Sequence, residues 1–272
     1  MIALIQVLFS ILLTFLHFNQ RGFSFDLSGV LGLLLVFVLF NILMIIVLLV
    51  IFAIGIYAFE KVDYHKAWKH KFVNLYSKYL FRFLYNARVI VTGKENLPKD
   101  NNFCVYSNHI EYTDPMYIMQ AYGGRPMAFV AKDPLFKIPL VKNALRGLGN
   151  LPITKYADRS ALETILKAIK QVKTGFPMGI FPEGKRTYEN NLIEFKPGAF
   201  KLAQKAKADI SPVVLFDMHK LSKKIRLVPT KIYIHILPII KYEDYKDLET
   251  VDLAELVYNK INQQLDVFKN RG

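Results

Sequence analysis

From Gly29 to Phe59 the chain runs for 31 residues without a charge, and Asn41 is its one strongly polar side chain. A helix needs about 20 residues to cross the roughly 30 Å hydrocarbon core of a bilayer. This segment is therefore long enough to span, with tilt or with its ends among headgroups. The alternative, a buried core helix of a soluble domain, rarely stays uncharged over such a length. Met1–Phe18 is also apolar but includes Gln6, Thr14 and His17. Three roles are open to it: a second span, a helix lying in the interface, or a packed partner of the long run. It lacks a basic leading region and a small-residue cleavage pattern, so it does not read as a cleaved signal peptide. Asn19–Ser28 is short and polar enough for a hairpin loop.

Charge divides the chain at the same place. Up to residue 60 only Arg21, Asp26 and Glu60 are charged, yet the whole chain is +14, so residues 61–272 carry +15. A basic domain tied to an apolar segment calls for an anionic partner, either phospholipid headgroups or nucleic acid. The apolar segment favours the lipid bilayer, and no nucleic-acid-binding module is recognisable. Basic stretches such as Lys220–Arg226 read as solvated loop or lipid-facing rim. Lys61, Lys66, Lys69, Lys71 and Lys78 follow the long run, whereas Arg21 stands alone before it. That asymmetry predicts an integral protein of the cell membrane with residues 61–272 on the cytoplasmic side. The expected domains are thus 1–60, membrane-anchoring helices, and 61–272, the cytoplasmic-facing part. The single cysteine, Cys104, excludes an intrachain disulfide.

Residues 61–85 read as a basic amphipathic helix, serving either as a surface helix among anionic lipids or as a core helix of the domain. His65 and His70, five apart, do not share a helix face and read as interfacial. Beyond them the pattern alternates. Strands are expected at Val89–Thr92, Phe103–Tyr106, Ala128–Ala131, Gly179–Phe181, Pro212–Phe216 and Ile232–Leu237. Helices are expected at Pro115–Tyr122, Pro139–Leu148, Ser160–Lys173, Pro197–Ala206 and Leu253–Phe268. Strands separated by helices predict an α/β layer architecture.

Two strand-end segments carry chemistry. In Ser107-Asn108-His109-Ile110-Glu111-Tyr112-Thr113-Asp114-Pro115, a loop leading into a helix could bring Asp114 against His109. Asp114 would then fix the imidazole tautomer and leave the other nitrogen free to take a proton. The plain alternative is that Asp114 only caps the helix, with Pro115 at its first position. In Gly179-Ile180-Phe181-Pro182-Glu183-Gly184-Lys185-Arg186-Thr187, a strand runs into a glycine turn and two cations. Arg186 offers a planar fork for phosphate oxygens and Lys185 a point charge. Glu183 would orient those cations or bind a polar headgroup. The plain alternative here is a solvated turn with an ion pair. Strand ends of open α/β sheets are where ligand sites gather.

Asn108-His109-(x4)-Asp114, followed some seventy residues later by Phe181-Pro182-Glu183-Gly184-Lys185-Arg186-Thr187, resembles the glycerolipid acyltransferase family. Lys132-Asp133-Pro134 through Pro139, with Gly149 to Ile153, resembles that family's acceptor-binding block, and Ile210–Val214 its later proline motif. The resemblance covers roughly residues 88–240. It implies a mixed central sheet flanked by helices, with His109 as general base and Asp114 as its partner. It also implies that Glu183, Gly184 and Arg186 belong to the acceptor site, together with Lys185, Lys132 and Lys155. The chain departs from the family in having Lys185 where Thr is usual and Lys155 where Arg is common, which bears on the acceptor's identity. The implied acceptor is lysophosphatidic acid and the product phosphatidic acid. An acyl-carrier-protein, acyl-CoA or acyl phosphate donor is open, as are a different lysophospholipid acceptor and a non-catalytic binder of anionic ligands. No cofactor or metal is expected: His-Glu-x-x-His and Gly-x-Ser-x-Gly patterns are both missing, and Cys104 reads as packing.

Overall fold

A computed structural model describes residues 2–154, 159–222 and 228–270. The chain divides into two compact units, Met1–Ala58 and Phe59–Gly272.

The first unit is helical. α1 spans Ile2–Arg21 and α2 spans Leu27–Phe59. Both are long and apolar enough to cross a membrane. Asp26 starts α2 by accepting from the Gly29 N–H at 2.8 Å. The polar residues of α1 fall at Gln6, Ser10 and Thr14, a spacing of four that lines one face, and all three are buried. Gln6 Nε2 donates to Asn41 Oδ1 at 3.2 Å, and the hydroxyls of Ser10 and Thr14 return to the carbonyls of Gln6 and Ser10. Small and polar groups are thereby kept between the helices, while Leu4, Phe9, Phe15, Leu35 and Ile46 face outward. Ile2–Phe18 thus belongs to a helix packed on the long run.

The second unit is a seven-stranded mixed sheet with helices around it. Its strands are β1 (Ala87–Thr92), β2 (Phe103–Ser107), β3 (Ala128–Lys132), β4 (Leu151–Ile153), β5 (Met178–Ile180), β6 (Asp209–Phe216) and β7 (Thr230–Ile236). They lie in the order β1-β7-β6-β2-β5-β3-β4. All neighbours are parallel except β6 and β7. The remaining helices are α3 (Ala67–Tyr85), α4 (Asp114–Ala121), α5 (Val141–Gly147), α6 (Arg159–Lys173), α7 (Lys201–Ala206), α8 (Tyr242–Tyr245) and α9 (Thr250–Lys269). β2 is buried at every position, as a central parallel strand covered on both faces should be. Its partner cluster includes Phe176, Met178, Phe200, Leu202, Val257 and Leu265.

Several expectations change. The helix expected over 61–85 begins only at Ala67. In its first turn Lys69 is fully buried. Its ammonium donates to the Phe59 and Val62 carbonyls at the start of the second unit, each at 2.7 Å. This lysine therefore is not a lipid-facing charge. Next to it His70 is also buried, its Nε2–H donating to the Tyr64 carbonyl at 2.9 Å, so it is not interfacial; burial lowers its pKa to about 4. β4 was not foreseen, because a three-residue strand containing Pro152 gives no alternation to read.

Gly179 on β5 makes the central packing possible. A Cβ there would lie 2.2 Å from the buried Phe129 ring of β3. Gly179→Ala is therefore expected to destabilise the second unit by about 1–3 kcal/mol through overpacking. Thermal or denaturant unfolding of the detergent-solubilised protein measures this; an unchanged midpoint would refute it.

Candidate active site

β2 and β5 pair in parallel, with Cys104 opposite Met178 and Tyr106 opposite Ile180. Their C-terminal ends consequently open side by side at one edge of the sheet. The loop after β2 carries His109, and the turn after β5 carries Glu183, Gly184, Lys185 and Arg186. Hydrogen bonds stitch the two together. His109 N–H donates to Glu183 Oε1 at 3.2 Å. The Thr187 N–H and hydroxyl both donate to the His109 carbonyl, at 2.9 and 3.2 Å. Tyr188 N–H donates to the Ile110 carbonyl at 3.3 Å.

Asn108 prepares this geometry. Its side-chain amide pairs with both backbone groups of Leu215, donating to the carbonyl at 2.9 Å and accepting from the N–H at 2.8 Å. A side chain thus continues the β2–β6 ladder by one step and releases the backbone to turn. His109 follows, with its side chain 17% exposed, and its Nδ1 lies 2.8 Å from Asp114 Oδ2. The ring stacks on Phe181 at a centroid distance of 4.1 Å and 18° between planes, and Phe181 stacks on Phe129 at 5.9 Å and 15°.

Asp114 is fully buried. Its Oδ2 also accepts from Ile110 N–H at 2.6 Å and Glu111 N–H at 2.8 Å. The five-residue spacing works because residues 110–113 turn back, with Asp114 N–H donating to the Glu111 carbonyl. α4 starts at Asp114, and Thr113 occupies the cap position without a side-chain cap bond. The carboxylate therefore serves the histidine loop and not the helix end. Burial pushes its carboxyl above the ordinary value, while the His109 contact and the two backbone N–H groups pull the other way. With Nδ1–H directed at a carboxylate, the lone pair is on Nε2.

Glu183 does not orient the cations. It is 3% exposed, with Oε1 on the His109 N–H and Oε2 without a hydrogen-bond partner. Burial raises its carboxyl to about 8, against the pull of the His109 N–H. Arg186 lies with its guanidinium carbon 3.3 Å from the Tyr112 ring centroid and 5.4 Å from that of Tyr188. Its Nε is buried without a hydrogen-bond partner. Among the described residues neither Arg186 nor the exposed Lys185 forms an ion pair, so the solvated-turn alternative lacks its ion pair. Lys132 is exposed at the C-terminal end of β3, at the same edge of the sheet, and makes no ion pair among the described residues. Asp133, Phe136, Leu151 and Pro152 of the same block line a cavity of about 290 Å³ with Tyr64 and Gln171. Lys155 lies outside the described residues. Among the described residues no three His, Cys, Asp or Glu side chains gather to hold a metal ion. Cys104 is buried, and burial pushes its thiol far up, which leaves it a packing residue.

Sequence reasoning did not single out Tyr112, Thr187 or Lys196. Tyr112 and Thr187 sit inside the two motifs, but stacking and backbone ties have no spacing signature. Lys196 lies ten residues past Arg186 and reaches the turn only through folding.

The Acyltransferase family model matches residues 88–216. The chain is 32% identical to the 1-acyl-sn-glycerol-3-phosphate acyltransferase of Borreliella burgdorferi, over 69% of this chain and 75% of that protein. It is 26% identical to the probable 1-acyl-sn-glycerol-3-phosphate acyltransferase of Mycoplasma pneumoniae, over 68% of this chain and 73% of the relative. The crystal structure of the 1-acyl-sn-glycerophosphate acyltransferase PlsC from Thermotoga maritima superposes with a TM-score of 0.62 at 28% identity, covering 74% of this chain and 79% of that one. The chain belongs to the acyltransferase family. It has the mixed α/β fold of that structure, and it is an enzyme of acyl transfer.

The raised Glu183 carboxyl has a consequence for stability. A folded-state value near 8 against an ordinary 4.5 means that the folded protein holds a proton the unfolded chain releases. Its contribution is complete below about 4.5 and is lost as pH rises to about 8. Glu183→Gln should flatten the fall in melting temperature across that interval. A slope identical to wild type would contradict the assignment.

Proposed function

We propose that the protein transfers a fatty acyl group from an activated donor to the free hydroxyl of 1-acylglycerol-3-phosphate, making phosphatidic acid for phospholipid synthesis. The observation that carries this reading is the junction of the β2 and β5 loops. A histidine base held by a buried carboxylate stands beside an arginine that makes no ion pair among the described residues. The names of the relatives support the same acceptor.

In the proposed step His109 Nε2 takes the proton of the acceptor hydroxyl. The hydroxyl oxygen forms a bond to the acyl carbon, and the bond from that carbon to the donor's sulfur, or to its phosphate oxygen, breaks. The imidazolium then returns the proton to the departing group. Asp114 holds the ring and stabilises its transient charge; no acyl-enzyme is required. Arg186, with Lys185 and Lys132 at the same edge, meets the acceptor's phosphate. The donor is acyl-carrier-protein, acyl-CoA or acyl phosphate, each of which presents its acyl group to a basic surface.

The two apolar helices are read as the anchor in a lipid bilayer, with the exposed Lys61, Lys66 and Lys71 on the cytoplasmic side. Removing residues 1–58 is expected to abolish turnover of acceptor presented in vesicles. Undiminished activity would sink the anchor.

Acyl transfer to lysophosphatidic acid by detergent-purified protein, with acyl-CoA and acyl-carrier-protein donors in parallel, tests the chemistry. His109→Ala should lower kcat/KM by about 10²-fold or more with little change in melting temperature. Asp114→Asn should lose activity in the same sense, since an amide oxygen gives weaker support to the imidazolium. A folded His109→Ala enzyme with wild-type turnover would overturn the mechanism.

A further inference from the structure

Gly184 is held at φ +69°, a backbone angle that favours glycine. A Cβ added there would lie 2.9 Å from Lys196 Nζ, 3.2 Å from its Cε and 3.6 Å from its Cδ. The Lys196 side chain therefore lies along the bare face of the glycine, two positions from Arg186. Its backbone is fixed from both directions. Lys196 N–H donates to the Pro182 carbonyl and the Lys196 carbonyl accepts from Ala199 N–H, each at 3.0 Å. On one side Phe195 is buried against Phe200 and Tyr258. On the other Pro197 opens a short 3₁₀ turn whose Ala199 carbonyl accepts from the Tyr106 hydroxyl.

Among the described residues the Lys196 ammonium has no ion-pair or hydrogen-bond partner. The carboxyl of the turn itself, Glu183, is directed inward to the His109 N–H. Lys196 is exposed, so its ammonium is accessible to an anion arriving from solvent.

We propose that Lys196 is a further cation of the acceptor site, laid over Gly184 so that its ammonium shares the acceptor's phosphate with the Arg186 guanidinium. The proposal rests on the reading of the Glu183–Arg186 turn as the phosphate site and adds a residue that lies outside that motif. It also gives Gly184 a second reason to be glycine: a methyl group would occupy the track of the lysine side chain.

The test uses full-length protein in detergent, with lysophosphatidic acid varied at a fixed saturating acyl donor. Lys196→Ala, Lys196→Arg, Arg186→Ala and Gly184→Ala are compared with Lys205→Ala, an exposed lysine of α7 that controls for general attraction of an anionic substrate. A lost charge-assisted hydrogen bond is expected to raise KM about tenfold or more in Lys196→Ala, with kcat changed less than about threefold. Lys196→Arg should restore most of the affinity, Gly184→Ala should raise KM in the same direction, and Lys205→Ala should match wild type. If Arg186→Ala raises KM while Lys196→Ala does not, the role of Lys196 is refuted and the phosphate turn stands. If neither raises KM, the phosphate reading of the turn falls, and the proposal with it. A lowered melting temperature in Lys196→Ala with kcat and KM both impaired, and no rescue by arginine, would make the lysine structural and overturn the proposal as well.

Discussion

The parallel pairing of β2 with β5 is the constraint on which the rest of the site depends. Two short loops 74 residues apart in sequence meet because the strands before them end at the same edge, in register. A slip of one residue would turn the imidazole loop away from the glycine turn, because alternate residues of a strand face opposite sides. Register is secured at three points. Gly179 admits the Phe129 ring between neighbouring strands. Asn108 extends the ladder on the β6 side with its side chain. Thr187 closes the gap beyond the strand ends with two bonds to one carbonyl.

Burial raises both buried carboxyls of the site, but the hydrogen bonds that oppose it differ in number. Asp114 concentrates three N–H groups on one oxygen, the arrangement that stabilises a negative charge beside an imidazole. Glu183 receives one N–H, and burial dominates, so its carboxyl retains a proton far above the ordinary range. In the proposed mechanism one anion next to the imidazole is enough; a second close by would compete with Arg186 for the same positive charge. The turn consequently presents cations to solvent and keeps its acid hidden.

Much of this was legible in the sequence, for specific reasons. Apolar stretches at β2, β3, β6 and β7 stand out by composition, and His109, Asp114, Glu183 and Arg186 form a pattern whose chemistry can be argued residue by residue. The short β4 was not legible, because Pro152 and a length of three leave no period. The burial of Lys69 was not legible, since nothing in its spacing says that the Phe59 and Val62 carbonyls lie within its reach. The inward turn of Glu183 was hidden too: a carboxyl next to two cations invites an ion pair, and only the fold brings the His109 N–H within reach. Tyr112 behind Arg186 and Lys196 over Gly184 are contacts of the third dimension, with no signature in the order of residues.

One feature of the edge reaches beyond geometry. The His109 ring rests on Phe181, which rests in turn on Phe129, and Asp114 holds it at Nδ1. Both torsions of the imidazole are thereby settled before any lipid arrives. The rotational freedom of that side chain is surrendered once, as the protein folds, instead of at every turnover. A group approaching Nε2 meets a ring with a single orientation, so selection among hydroxyls falls to whatever positions the acceptor rather than to any search by the base.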